Sequence, residues 1–484
     1  MKKIALVFAL FSLLSAGSVP AFAQSSQEMT AEEMNDMGDM YYKGDSIPQD
    51  YAEALKWFMQ SAEKGNADAM YSIGLMYGNG DGVPRDYAEA LKWFMQSVEK
   101  GNTRAMLNIG IMYYCGHGVP QSYDEALKWF MQSVEKGNTD AMYGVGMMYY
   151  EGYGVPQDYA ETLKWLRRAA EQGHADAMLK IGVMYYEGDG VLQDYAEALK
   201  WFKQAAEKGN TDAMYNVGLM YADGNGVLQD YTEALKWYQR AAEQGNAEAM
   251  YNIGAIYANG HGVPQDYAEA LKWYQRAAEQ GNAEEMYKGD SDAMLKIGLM
   301  YANGNDFPQD YAEALKWFTQ SAEQGNADAM LNIGIIYANG YGVPQDYAEA
   351  LKWFTQSAEQ ENAYAMLNIG NMYYNGHGVP QNSSEALKWY QRAAEQGDAS
   401  AMHNIGVMYH KGDSVPQDYA EALKWFQRAA EQGISAAMYN IGLMYHEGQG
   451  VPQNSSEALK WYQRAAQNGS DTAKETLTEL GETW

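Results

Sequence analysis

The chain has 484 residues, with 63 acidic against 34 basic side chains and a formal net charge of −29 at pH 7. So large an excess of negative charge repels nucleic acids and anionic lipid surfaces, which argues against both as partners. It attracts cationic partners instead, most strongly at low salt. Cys115 is the only cysteine, which excludes a disulfide within the chain.

Residues 1–23 are typical of a cleavable export signal. Two lysines precede an apolar run at residues 4–16 that is too short to span a bilayer, and residues 21–23 fit the small-x-small cleavage pattern. We therefore expect a mature chain that begins at Gln24, with residues 24–30 as a polar lead-in, in the periplasm or outside a bacterial cell. The remaining sequence contains no candidate membrane span.

One 36-residue pattern recurs twelve times from residue 31 to residue 470. Seven repeats fill residues 31–282 and five fill residues 291–470, with an insertion at residues 283–290 between them. A tryptophan at position 27 of each repeat marks the period: Trp57, Trp93, Trp129, Trp165, Trp201, Trp237, Trp273, Trp317, Trp353, Trp389, Trp425 and Trp461. A fixed period of this length predicts an all-α fold, a solenoid of about twelve stacked two-helix repeats.

Positions 1–12 of each repeat predict the first helix of the pair. In the second repeat Met70, Ile73, Gly74 and Tyr77 share one helical face, at positions 4, 7, 8 and 11, which we predict to face the core. A glycine at position 8 occurs in all twelve repeats, although glycine within a helix costs about 1 kcal/mol relative to alanine. We therefore expect the backbone of a partner helix to lie against it.

A turn with glycines and Pro84 separates the two helices, since proline cannot continue the first one. The second helix begins at Asp86, which with Glu89 fits a capping box, in which Glu89 reaches back to the capping residue. Gly101 ends the helix.

Two segments depart from the regular period. Residues 283–290 lengthen one junction and echo residues 32–34 and 42–45, so we interpret them as a fragment of a lost repeat. A hinge and a surface bulge are both compatible with this insertion. Residues 471–484 predict a C-terminal capping helix.

The repeated motifs resemble the Sel-one-like repeat, a relative of the tetratricopeptide repeat. They are the G-x-x-Y step, the G-x-G-V turn, the A-L-K-W core and the A-A-E-x-G ending. The resemblance implies a right-handed α/α superhelix with a concave inner surface, and a function as an adaptor or scaffold. One branch of the family, linked to penicillin binding, has a cysteine pair in every repeat. Because this chain has only Cys115, we do not expect that activity.

The sequence offers no constellation for catalysis or for a cofactor. The seven histidines meet no metal-ligand spacing, and no nucleophile or phosphate-loop motif occurs. Methionines at positions 4 and 10 could bind copper as soft ligands, but packing is favoured because position 4 lies on the predicted core face. We expect no enzymatic activity, no metal and no cofactor.

The helical wheel places positions 2, 6, 9 and 13 opposite the core, with position 5 beside them. Position 2 is largely acidic. The asparagines at position 6 are Asn108, Asn216, Asn252, Asn332, Asn368, Asn404 and Asn440. Aliphatic residues at position 9 include Leu75, Ile111, Leu219, Leu299 and Ile335, and tyrosines at position 5 are Tyr71, Tyr143, Tyr215, Tyr251 and Tyr439.

These rows suit an extended peptide, and the acidic row favours a basic one. Each asparagine amide offers a donor and an acceptor to a peptide backbone, the aliphatic row takes alternate side chains, and the acidic row attracts a basic segment. We therefore predict an exported scaffold that binds a protein or peptide on the concave face. The alternative is a structural spacer, in which packing between repeats uses the same rows and no specific ligand binds.

Overall fold

A computed structural model describes residues 29–44, 47–280, 290–305 and 308–483. These residues form 25 α-helices and no β-strand. The predicted all-α solenoid of 36-residue two-helix repeats is confirmed. The predicted export signal at residues 1–23 and all but the last residue of the predicted insertion lie outside the described residues.

The chain divides into two compact units, the first ending at Gly209 and the second beginning at Asn210. The helices of the first unit are α1 (Ala31–Lys43), α2 (Tyr51–Glu63), α3 (Ala67–Asn79), α4 (Tyr87–Glu99), α5 (Thr103–Cys115), α6 (Tyr123–Glu135), α7 (Thr139–Glu151), α8 (Tyr159–Glu171), α9 (Ala175–Glu187) and α10 (Tyr195–Glu207). Odd-numbered helices are the first helices of the repeats, even-numbered helices are the second, and consecutive helices within the unit pack together.

The second unit contains seven two-helix repeats with the same alternation and ends on a single helix. Its helices are α11 (Thr211–Asp223), α12 (Tyr231–Glu243), α13 (Ala247–Asn259), α14 (Tyr267–Glu279), α15 (Ser291–Asn303), α16 (Tyr311–Glu323), α17 (Ala327–Asn339), α18 (Tyr347–Glu359), α19 (Ala363–Asn375), α20 (Ser383–Glu395), α21 (Ala399–Lys411), α22 (Tyr419–Glu431), α23 (Ser435–Glu447), α24 (Ser455–Gln467) and α25 (Asp471–Glu479). No described helix is long and apolar enough to cross a bilayer.

Polar side chains and glycines fix where the first helices begin and end. The side chain of Asn66 accepts a hydrogen bond from the backbone N–H of Ala69 at 3.0 Å and caps α3. Gly80 ends the same helix with φ +88°, a conformation that glycine adopts without a steric penalty. Among the described helices only α23, which Ile434 precedes, has no side-chain cap.

The core face of the first helix keeps three of the four predicted positions and is shifted at the fourth. In α3, Met70, Ile73 and Gly74 are buried as predicted, and Met76 at position 10 is buried too. Tyr77, predicted on the core face, is half-buried and packs against the edge of the core. The methionines at positions 4 and 10 therefore serve helix packing, for which their flexible side chains are suited.

The glycine at position 8 lies against an aromatic ring. A Cβ atom at Gly74 would lie 2.5 Å from the ring of Phe94, at position 28 in the second helix of the same repeat. The expectation that helix backbone lies against this glycine is therefore wrong. The fourth repeat has Leu166 at position 28, and there a Cβ at Gly146 would meet its nearest atom at 3.1 Å.

The second helices begin at a side-chain cap, but the predicted capping box does not form. Asp86 accepts a hydrogen bond from the backbone N–H of Glu89 at 3.0 Å, as predicted. The carboxylate of Glu89 pairs with Lys92 at 2.7 Å instead of reaching back to Asp86. Opposite charges three residues apart lie on one helical face, so the lysine captures the carboxylate. Of the described helices only α1 has a reciprocal box, between Thr30 and Glu33.

The structure describes part of each of the two segments that depart from the regular period. Asp290, the last residue of the insertion, caps α15 by accepting a hydrogen bond from the backbone N–H of Ala293 at 3.0 Å. At the C-terminal end, α25 buries Ala473 and Leu477 completely. The remaining residues of α25 are half-buried or exposed, so this helix covers the core of the last repeat with a polar outer side.

Candidate partner-binding surface

We define the first-helix surface as the side chains at repeat positions 2, 5, 6, 9 and 13 of the first helices. In α3 these are Asp68, Tyr71, Ser72, Leu75 and Asn79, of which the first and last are exposed and the others half-buried. The surface therefore combines partly covered apolar groups with amides and carboxylates, a composition found in protein-binding sites.

The predicted tyrosines at position 5 are half-buried against a neighbouring ring. They are Tyr71, Tyr143, Tyr215, Tyr251 and Tyr439. The ring centroid of Tyr71 lies 5.7 Å from that of Phe94 in the same repeat, and Tyr143 stacks on a histidine at 5.1 Å. Burial raises the pKa of Tyr143, Tyr215 and Tyr251. Their hydroxyls are therefore uncharged hydrogen-bonding groups at neutral pH.

Some of the predicted asparagines at position 6 bond the preceding repeat. All seven are half-buried: Asn108, Asn216, Asn252, Asn332, Asn368, Asn404 and Asn440. Asn108 Nδ2 donates to the hydroxyl of Tyr71 at 3.2 Å, and Asn440 Nδ2 lies 3.1 Å from His403 Nε2. Both partners occupy position 5 of the preceding repeat. At these junctions the asparagine takes part in packing between repeats.

Other asparagines of the row bond differently. Nδ2 of Asn332 donates to the carbonyl oxygen of Asp328 at 2.8 Å, and Nδ2 of Asn368 donates to that of Tyr364 at 2.8 Å. Each acceptor belongs to the asparagine's own helix, four residues earlier. Neither amide bonds a described residue of another repeat. Asn404 Nδ2 reaches Asn371 of the preceding repeat at 3.4 Å, a long contact.

The aliphatic row at position 9 is partly accessible. Its predicted members are Leu75, Ile111, Leu219, Leu299 and Ile335. Ile111 is 41% exposed, and the other four are half-buried. Apolar side chains in such positions gain from further burial under a partner, at about 25 cal/mol per Å² of covered area.

Carboxylates of the acidic row at position 2 bond residues at or just before the start of the next first helix. Asp68 pairs with Arg104 at 2.6 Å, and Asp328 accepts a hydrogen bond from Asn362 Nδ2 at 2.8 Å. The carboxylate of Asp68 is 59% exposed and the pair is open to water, so it is worth little to stability. The carboxylates remain within reach of a cationic partner.

Two cavities open on the first-helix surface, one in each unit. In the first unit a cavity of about 290 Å³ is lined by Tyr71, Leu75, Asp39, Arg104 and Asn35, among others. Asn35 Oδ1 is buried there without a hydrogen-bond partner. In the second unit a cavity of about 270 Å³ is lined by residues that include the predicted Tyr251 and Leu299.

Sequence reasoning missed a set of contacts that we name turn clasps, each joining the turn of one repeat to the repeat before it. In the hydrogen-bond clasp, an aromatic residue at position 12 bonds position 15 of the next repeat. Tyr42 donates to Asp81 at 2.7 Å, and Tyr374 donates to Asp413 at 3.0 Å. Burial and the hydrogen bond to Asp81 raise the pKa of Tyr42 to about 12.

In the stacked clasp, an aromatic ring at position 15 stacks on the tyrosine at position 21 of the preceding repeat. Position 12 of that preceding repeat is then glycine or alanine, or an aromatic residue that forms no such hydrogen bond. His117 stacks on Tyr87 with 4.5 Å between ring centroids, and Tyr153 stacks on Tyr123 at 4.8 Å. The sequence signal for the two clasps is the residue at position 15 of the next repeat, which is acidic or an amide in the hydrogen-bond clasp and aromatic in the stacked clasp.

The chemistry-bearing residues outside this surface do not assemble into a site. Among the described residues no group of three or more histidine, cysteine, aspartate or glutamate side chains could hold a metal ion. His410 bonds Gln449 in a turn clasp at 2.6 Å, and His446 is exposed. Cys115 is exposed at the last residue of α5, not in the turn that follows.

The comparisons with known proteins agree with this geometry. The profile of the Sel1 repeat matches twelve segments, residues 34–66, 67–102, 103–138, 139–174, 175–210, 211–246, 247–282, 291–326, 327–362, 363–398, 399–434 and 435–470. One similar solved structure is the crystal structure of c5321, a protective antigen present in uropathogenic Escherichia coli strains that displays an SLR fold. Its sequence is 32% identical to that of this chain. That match covers 94% of this chain and 96% of c5321, with a TM-score of 0.62.

A Sel1 repeat protein from Oxalobacter formigenes is 33% identical over 66% of this chain and 90% of its own, with a TM-score of 0.53. No curated protein matches the sequence. The twelve matched segments cover nearly all of the described residues and coincide with the helical pairs. The chain therefore belongs to the Sel1 repeat family, whose helical scaffold is typical of protein–protein interaction.

Proposed function

We propose that this chain is an exported interaction scaffold that binds an extended, basic segment of a protein partner along the first-helix surface. One observation carries the location. On α17 and α19, the amides of Asn332 and Asn368 bond only a carbonyl of their own helix and no described residue of another repeat. The helix already uses that carbonyl, so the amide can rotate to a ligand at little cost.

The spacing of these amides suits an extended chain. The first helices of neighbouring repeats lie about 10 Å apart, given the usual distance between packed helices. An extended peptide advances about 3.3 Å per residue, so every third residue of the ligand would meet one asparagine. Each amide then offers one donor and one acceptor to the peptide backbone.

The neighbouring side chains determine which segment would bind. Ile335 is half-buried next to the asparagine row, and Tyr364 at position 2 of the next repeat is 64% exposed. Both supply apolar area for alternate side chains of a ligand. Asp328 and the net charge of −29 favour lysine or arginine in that ligand.

The proposed export depends on the first 23 residues. Their two lysines, apolar run and small-x-small ending support cleavage before Gln24. Fractionation of the producing cells followed by N-terminal sequencing tests this. A mature chain that starts at Gln24 in the periplasm or the medium is expected, and an uncleaved chain in the cytoplasm would contradict export.

Capture of partners from envelope and culture-supernatant fractions tests the binding surface. We expect the mature chain to retain a protein at low salt and to release it at high salt. The double variant N332A/N368A should lose that protein and keep its melting temperature. The control variant N440A, whose amide bonds His403 of the preceding repeat, should retain the protein.

A structural spacer without a ligand is the competing function, because bonds such as that from Asn108 to Tyr71 use part of the same rows. Equal capture by the natural chain and N332A/N368A would exclude the proposed surface. A drop in melting temperature for this double variant without a change in capture would favour the spacer.

A further inference from the structure

One junction between repeats forms neither turn clasp. Between repeats seven and eight, position 12 is Ala258 and position 15 is Asn305, so neither an aromatic donor nor a stacking ring is present. Every other junction between described repeats of one unit has a clasp. The exception lies where the 270 Å³ cavity of the second unit opens.

The junction between repeats four and five shows the same positions when they are occupied. There the ring of Tyr150 fills position 12, and Lys180 Nζ lies 3.6 Å from its centroid. The Tyr150 hydroxyl donates to Asp189 at 2.5 Å. The tyrosine is thus held by a cation over its ring and by an acceptor at its hydroxyl.

Repeats seven and eight keep the surroundings of this tyrosine but lack its ring. Lys296 has the repeat position of Lys180, Asn305 has that of Asp189, and Ala258 stands where the tyrosine would be. All three line the cavity. Lys296 is half-buried and forms no ion pair, hydrogen bond or ring contact with another described residue. An ammonium group in this position lacks the ring on which its counterpart lies.

The rest of the lining adds a second polar group. Tyr274 is buried, and its ring lies 5.4 Å from that of Tyr251. Burial raises the pKa of the equivalent Tyr238, and the side chain of Asn252, at position 6 of the next repeat, acts on that hydroxyl to lower it. Because Lys296 replaces that asparagine, the hydroxyl of Tyr274 bonds no described side chain and is available to a ligand.

We propose that this cavity, lined by Ala258, Lys296 and Asn305, binds the 4-hydroxyphenyl side chain of a tyrosine in a protein partner. The inference rests on the proposed function, and it specifies one side chain of the bound segment. The ring lies beneath Lys296, and the hydroxyl meets the amide of Asn305. A volume near the lower limit of small-molecule pockets, about 300 Å³, fits one aromatic side chain.

The local charge favours a neutral phenol over an aromatic carboxylate. Burial is the main reason that the pKa of Tyr251 and of Tyr274 is raised, and the nearby Asp290 carboxylate raises both further. Its negative charge therefore reaches the cavity and opposes an anionic ligand. A phenol keeps the attraction of the ammonium for the ring and adds no charge.

The test uses N-acetyl-tyrosinamide as the probe and saturation-transfer NMR on the full mature chain. We expect transfer to the aromatic protons of this probe and none to N-acetyl-leucinamide. The variant A258Y supplies the ring from within, as in repeat four, and should abolish transfer. Its matched control A338Y, at a junction where His377 already stacks on Tyr347, should leave transfer unchanged.

A second pair of variants tests the cation. K296N, which restores the usual asparagine, should weaken the binding of the probe about 2- to 5-fold, as expected for a partly exposed cation–π contact. K180N should have no effect on probe binding. These variants remove a half-buried side chain rather than a core residue, so folding is preserved.

Two results would overturn the inference. One is absence of transfer with the natural chain. The other is transfer that A258Y leaves intact. The proposed function is tested separately from the tyrosine site. A partner that N332A/N368A loses but A258Y retains would support that function and reject the tyrosine site.

Discussion

Repeats two and three differ from repeats nine and ten in the use of one side-chain amide. Tyr71 on α3 accepts a hydrogen bond from Asn108 on α5, which ties the two repeats together. On α17 the same position is Leu331, and Asn368 on α19 bonds a carbonyl of its own helix. At these two junctions the residue at position 5 of one repeat therefore decides whether the next asparagine bonds that residue or its own helix.

The same relation holds at further junctions of the second unit. His403 at position 5 lies 3.1 Å from Asn440, whereas Leu295 precedes Asn332, whose amide returns to its own helix. Leucine offers no acceptor, so the amides of Asn332 and Asn368 have no partner at position 5 across the junction. The amide of Asn404, which follows Leu367, reaches Asn371 at position 9 instead, at 3.4 Å. The two regions thus share a fold and differ in one polar contact.

The largest effect is expected from the core that both regions share. A Cβ atom at Gly370 would lie 2.5 Å from the ring of Tyr390, and one at Gly110 would lie 2.5 Å from Phe130. Because ring and backbone must both shift, G370V and G110V should each lower the free energy of unfolding by about 1–3 kcal/mol.

Urea unfolding of the mature chain measures this loss. The control is G146A, where the facing side chain is a flexible leucine and the nearest contact is 3.1 Å. G146A should cost clearly less than the two valine variants. Equal losses in all three would show that the aromatic ring is not what requires glycine.

A smaller effect separates the two regions directly. N108A removes the donor to Tyr71 and should lower the free energy of unfolding by about 0.5–1.5 kcal/mol. N368A removes only a supplementary bond within its own helix and should change it by less than about 0.5 kcal/mol. Paired thermal melts check the difference, and equal shifts would contradict the distinction between the regions.

The sequence predicted the architecture because each repeat contains the residues that begin and end its own helices. Asn66, Gly80 and Asp86 each cap or end a helix through local bonds, and the pattern repeats twelve times. It did not predict what lies against Gly74, since spacing shows that room is scarce but not which atoms take it. Nor did it predict that Glu89 pairs with Lys92, because two neighbours compete for one carboxylate.

The candidate surface was predictable as a face but not residue by residue. Periodicity placed Asn108 and Asn368 in one row, yet only the structure shows that one bonds another repeat and the other does not. The deciding residue lies 37 positions earlier, outside any local pattern. Lys296 and Ala258 were missed for the same reason, since their meaning depends on Lys180 and Tyr150 three repeats away.

The smallest effect on stability and the sharpest on function are expected from exchanging the deciding residue. Leu331 lies in the repeat of Phe354, just as Tyr71 lies in the repeat of Phe94, so L331Y places a tyrosine where the chain already accommodates one elsewhere. Its hydroxyl can accept the hydrogen bond of Asn368 Nδ2.

This new bond would compete with a partner for the amide. Since such a bond contributes about 0.5–1.5 kcal/mol, L331Y should weaken capture of the partner by roughly 2- to 10-fold and leave the melting temperature nearly unchanged. The reciprocal control Y71F should leave capture intact and lower stability slightly, because it removes the acceptor of Asn108. If L331Y captured the partner as well as the natural chain does, the residue at position 5 would not govern binding, and the contrast between the two regions would concern packing alone.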